Sequence, residues 1–174
     1  MEITSDVTFK SAKWRKLADY LVDKYEIIPT YVGLFLLCAS IGVCDGKQEP
    51  NEANEDASIK EVNCPRAVLL QKVNSDKLDF IFRAYLFSNE KDMPVEKKIE
   101  IAFRDDEDKL FKKIDPIRLC ANYGATVLIN SITDFDNAYT TMEEVLNTLK
   151  DKSLDADSLT SMFNDEDFDL DDWL

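Results

Sequence analysis

The feature that most constrains this chain is an uninterrupted uncharged stretch, YVGLFLLCASIGV, at residues 31–43. Thirteen residues cannot cross a bilayer, which takes about 20, so the run is expected to be a helix buried in a protein core. Pro29 suits the first turn of that helix, because its missing N–H would have no partner there, and Gly42 and Gly46 are expected to end it. A chain of 174 residues is long enough to close a core around such a helix, with roughly 100–200 residues typical of one domain.

The flanking segments supply amphipathic helices. Trp14, Leu17, Ala18, Leu21, Val22 and Tyr25 recur at helical spacing behind a capping Ser11. After a polar stretch at 45–63, read as a long surface loop, Pro65 opens PRAVLLQKV, and Asn74 or Ser75 is placed to cap DKLDFIFRAYLFS. Leu78, Ile81, Phe82, Tyr85 and Leu86 in that segment form a stripe expected to face the core. VEKKIEIAF reads as a short helix, with a short strand as the alternative. Asp115 and Pro116 mark the N-cap and first position of a helix to about Ile132. Gly124 inside it costs about 1 kcal/mol relative to alanine, which implies close approach of another helix or a kink. Thr140 with Glu143, or Thr141 with Glu144, makes a capping box before a last core helix. No internal repeat is read along the chain. The expected fold is mainly all-α, a compact bundle of about six or seven helices in residues 1–150, followed by an acidic-aromatic tail at 151–174.

Charge separates the two parts. The net charge is -14, and residues 151–174 carry nine acids against Lys152, a net -8, which leaves -6 on the first 150 residues. Within the tail, Phe163, Phe168, Leu170, Trp173 and Leu174 alternate with Asp165, Glu166, Asp167, Asp169, Asp171 and Asp172. A solubilising tail has no use for large apolar groups, whereas a peptide that docks into a basic, apolar groove uses both kinds. These eleven residues are therefore the expected partner-binding site, with a solubility tail or docking on the chain's own domain as the alternatives. The segment resembles the acidic C-terminal tips by which bacterial single-stranded DNA-binding proteins recruit other proteins, though its closing residues differ.

Catalysis is not expected. With four glycines and no histidine, neither phosphate-binding glycine loop can be written, and the Ser-His and Cys-His nucleophile pairs are excluded. Cys38, Cys44, Cys64 and Cys120 contain no C-x-x-C pair and read as reduced thiols, consistent with a cytoplasmic location, as is the lack of a signal-like N-terminus. Asp105, Asp106, Glu107 and Asp108 could hold a hard cation, but acids at a helix start are accounted for by the helix dipole. No metal and no cofactor are expected. Lys10, Lys13, Arg15 and Lys16 around Trp14 form a local basic patch, a candidate contact for nucleic acid or for the chain's own tail; direct nucleic-acid contact is the lesser reading, because a chain of this net charge is repelled by a phosphate backbone.

Two segments, TYVGLFLLCASIGVCDGKQEP and LFKKIDPIRLCANYGATVLINSI, resemble a small family found beside bacterial DNA phosphorothioation (Dnd) genes, the Dnd system-associated accessory proteins. The resemblance covers about residues 25–150. Here Tyr123 separates Asn122 from Gly124, and Leu119 and Cys120 stand where the family pattern has an acidic residue. The resemblance implies an accessory subunit of a DNA-modification or anti-phage system, working beside a larger ATPase or nuclease, and implies no catalytic residues. A DNA-mimic inhibitor is the alternative drawn from the acidity.

Overall fold

The computed structural model of the protein describes residues 3–50, 58–103 and 112–163, with side chains as far as Lys152 in the last segment. The described elements run β1 (Val7–Phe9), α1 (Ala12–Leu17), a π-helical stretch (Ala18–Lys24), α2 (Tyr31–Cys44), β2 (Val62–Cys64), α3 (Arg66–Leu69), α4 (Lys72–Asn89), α5 (Val95–Phe103), α6 (Ile114–Ser131) and α7 (Ala138–Phe163). The fold is mainly all-α, as the sequence predicts.

Its centre is the crossing of α2 and α6. A Cβ built on Gly42 would lie 2.1 Å from the carbonyl oxygen of Cys120, and one on Gly124 would lie 1.9 Å from that of Cys38. Each glycine therefore sits on the other helix's backbone, an approach only glycine allows. The partners are reciprocal: Cys38 lies four residues before Gly42, and Cys120 four before Gly124, so the helices cross antiparallel. The two segments, CASIG and CANYG, share a Cys-Ala-x-x-Gly pattern. That short internal match is legible only once the contact shows which positions to compare.

This contact corrects one expectation and meets another. Gly124 has the packing reason expected of it. Gly42, expected to end its helix, lies inside α2, and Gly46 at φ 61° takes the left-handed position that closes the helix. Pro29 also lies outside: Thr30 is the N-cap, its hydroxyl accepting from the Gly33 N–H at 2.9 Å.

The other elements wrap this pair. Ser11 caps α1 as expected. The helix then widens into the π-helical stretch, which ends at Lys24 with Tyr25 as its C-cap, and Glu26 at φ 52° turns the chain. β1 and β2 form a two-stranded antiparallel sheet pairing Val7 with Cys64 and Phe9 with Val62. The loop expected at 45–63 thus ends in a strand. Its first part is also fixed, because the Glu49 N–H donates to the Leu119 carbonyl at 3.0 Å. Phe9 stacks on Trp14 with ring centroids 3.9 Å apart, and Phe35 lies 5.5 Å from Phe9.

The predicted core stripe of α4 is buried at all five positions, Leu78, Ile81, Phe82, Tyr85 and Leu86. The helix begins at Lys72, so neither Asn74 nor Ser75 caps it; the Asn74 amide donates to the Val68 carbonyl. Residues 95–103 are helical, the reading favoured over a strand. In α6, Asp115 and Pro116 lie in the first turn rather than at its cap. At α7 the capping side chain is Asn137, which accepts from the Tyr139 and Thr140 N–H groups, so the Thr140 and Thr141 boxes are not formed. Thr141 instead donates to the Asp134 carbonyl, and Glu144 accepts from the Thr133 N–H and hydroxyl. Backbone helix continues through residue 150 to Phe163, across the boundary expected between domain and tail.

Candidate docking surface

The exposed large apolar side chains are concentrated on α4 and α5. Val73, Phe80 and Phe87 recur every seven residues on the face of α4 opposite its core stripe, and they are 65%, 72% and 44% exposed. Val95, Ile99 and Phe103 form an exposed stripe along α5. The Arg83 guanidinium lies 4.6 Å from the centre of the Phe103 ring, which joins the end of α5 to the charged flank of α4. A single exposed hydrophobe needs no explanation, but six on two consecutive helices make a surface of the kind that marks interaction sites.

Beside Phe80 runs a groove of about 380 Å³ between α2 and α4. Leu36, Leu37 and Ser40 form the α2 side, and Asp76, Lys77, Phe80 and Ile81 the α4 side. Because α2 contains no charged residue, that wall is uncharged along its length. Charge enters only from α4, through Asp76 and Lys77. Such a groove can accept an aromatic or aliphatic side chain and place a charged neighbour at its rim.

The residues of the proposed basic patch have separate roles. Trp14 is 1% exposed, and its indole N–H donates to the Asn122 side-chain oxygen at 2.9 Å, so its ring is not a surface on which a base could stack. Lys13 is paired with Glu49 and donates to the Thr126 hydroxyl, which itself donates to the other Glu49 oxygen. The Asn122 amide completes this knot by donating to the Glu49 carbonyl at 3.3 Å. Arg15 bonds Asp19 and Asp23, Lys10 lies 3.8 Å from Glu61, and Lys16 sits 4.0 Å from the centre of the Phe135 ring. Four cations that share a stretch of sequence are thus turned toward separate partners.

Burial pushes the Glu49 carboxyl up, but the hydrogen bonds from Lys13 and Thr126 and the lysine charge outweigh it, and the group lies below its ordinary value. Burial raises the thiols of Cys38, Cys64 and Cys120, the last two to about 12 and about 11. Cys44 is exposed.

Several candidate residues lie outside the described residues: Asp105, Asp106, Glu107 and Asp108, and in the tail Asp165, Glu166, Asp167, Phe168, Asp169, Leu170, Asp171, Asp172, Trp173 and Leu174. Phe163 ends α7 with only its backbone described. Among the described residues no cluster of three or more potential ligands could hold a metal ion, and no helix is long and apolar enough to cross a membrane. The sequence reading missed the outer stripes of α4 and α5. The signal was present in the seven-residue spacing of Val73, Phe80 and Phe87, but the stronger inward stripe masked it. Comparisons of the chain with protein-family models, curated proteins and solved structures found no match.

Proposed function

We propose that this protein is a non-catalytic adaptor which binds a larger DNA-handling ATPase or nuclease, as an accessory subunit of a bacterial DNA-modification or anti-phage system. The observation that carries the binding role is the cluster of exposed apolar side chains on α4 and α5, led by Val73, Phe80 and Phe87. The acidic-aromatic tail is the second contact, steering association by charge and adding a linked site on the same chain. The class of partner rests on the resemblance to Dnd system-associated proteins.

The test uses the immobilised 174-residue chain and a candidate DNA-handling ATPase or nuclease. Deletion of residues 155–174 is expected to abolish retention of that partner while the melting temperature of the helical domain stays within a degree or two. Unchanged retention would overturn the tail's role. A DNA-mimic activity would show itself differently, as competition with DNA for the partner by a chain lacking the tail.

A further inference from the structure

The α4 wall of the groove lies in a stretch of the chain with a small net positive charge. Residues 66–103 carry seven basic and six acidic side chains, a net +1, whereas residues 1–65 and 104–150 carry -4 and -3, and residues 151–174 carry -8. The α4–α5 surface is thus close to charge-neutral and less acidic than the stretches on either side of it, and the most acidic segment is also the one that interleaves acids with Phe168, Leu170, Trp173 and Leu174.

The path of α7 brings that segment to the right corner. The α2–α6 crossing is antiparallel, and α7 turns back from the end of α6, so α7 runs in the same sense as α2. Lys152 of α7 is bonded to Asp45, the residue that caps the C-terminal end of α2. Asp45 and Gly46 line one polar pocket with Ser88, Asn89 and Lys91, at the C-terminal end of α4. Beyond Lys152, α7 extends eleven residues to Phe163, about 16 Å of helix. From Asn89 back to Phe80 is nine helical residues, about 14 Å. The return path from Phe163 to the groove is therefore roughly 30 Å, and the ten residues from Phe163 to Trp173 span up to about 36 Å.

We infer that the groove between α2 and α4 seats the chain's own C-terminal segment, residues 164–174, with Phe168 against Phe87 and Trp173 in the groove beside Leu37 and Phe80. The acids of the segment then lie near Lys77 at the rim of the groove and near Lys91 at the C-terminal end of α4. The surface and the tail cover each other, and a partner must displace that contact to reach either. This inference needs no partner and stands or falls apart from the adaptor reading.

The two tryptophans of the chain give the readout. Trp14 is buried, so quenching of fluorescence by acrylamide reports on Trp173 against a constant background. In the native 174-residue chain Trp173 is expected to be several-fold less quenchable than a free indole, and this protection should survive 100-fold dilution. Phe80→Glu, or Lys77→Glu at the rim, should restore quenching while circular dichroism stays native. Quenching of Trp173 at the free-indole rate in the native chain would overturn the inference. Protection that vanishes on dilution would also overturn it, because the occupied groove would then belong to a second copy.

Discussion

Gly42 and Gly124 carry the tightest constraint in the molecule, because what a side chain would meet at each is the main chain of the facing helix. A backbone carbonyl cannot swing aside as a side chain can, so an added methyl must push α2 and α6 apart and loosen everything packed around them. Gly124→Ala is expected to destabilise the protein by about 3 kcal/mol, at the upper end for overpacking, and to lower the melting temperature by roughly 6–12 °C. A melting curve within 2 °C of the native one would contradict the contact. At Glu49 the relevant variable is pH. Its carboxyl lies below its ordinary value in the folded protein, so its contribution is present above the unfolded value of 4.5 and is lost as pH falls through the lower folded value. Denaturant midpoints measured from pH 7 to pH 3 should fall more steeply for the native chain than for Glu49→Gln, which should itself be about 1–2 kcal/mol less stable at pH 7. For the cysteines, burial and raised pKa values at Cys38, Cys64 and Cys120 predict that a thiol reagent at pH 8 modifies Cys44 alone in the folded chain and all four after denaturation.

At the scale of elements, α4 bears two apolar stripes with opposite consequences. The inner one, from Leu78 to Leu86, holds the helix against α2 and α6. The outer one, at Val73, Phe80 and Phe87, does little for the stability of the helical bundle, since these side chains face away from its core. Phe80→Glu is therefore expected to change unfolding free energy by no more than about 0.5 kcal/mol, whereas Phe82→Ala should cost about 3–5 kcal/mol. Chemical denaturation of the two variants checks this contrast, and a similar loss for both would place Phe80 in the core. The inner stripe was legible because five large residues recur at helical period. The start of α4 was not, because Asn74 and Ser75 are chemically able to cap a helix but the chain enters helix three residues earlier. The strands escaped for a related reason. Three residues are too few to show a period of two, and β1 and β2 exist only because residues 55 positions apart meet, with Asp6 accepting from the Arg66 N–H at 2.7 Å beside them.

Over the whole molecule, the separation of charge sets how the protein meets other molecules. The tail holds more than half of the net charge of -14, so association that depends on it is long-ranged at low ionic strength and screened at high. Retention of a partner is expected to weaken at least tenfold between 0.05 and 0.5 M salt; retention unchanged over that range would show that the tail contributes no charge-dependent contact.

By itself the sequence determined the mainly helical class, the burial of the uncharged helix, the core stripe of α4, the need for a close contact at Gly124 and the charge asymmetry of the tail. Each of these follows from local composition or period, which a single chain segment displays in full. Tertiary structure alone decided that Gly42 is a contact and not a terminator, that CASIG and CANYG are two halves of one crossing, and that Trp14 and its neighbouring cations are dispersed among Asn122, Glu49, Asp19 and Phe135. Those outcomes depend on which residues meet across long stretches of sequence, and the free energy of such meetings resides in the pair and not in either residue alone.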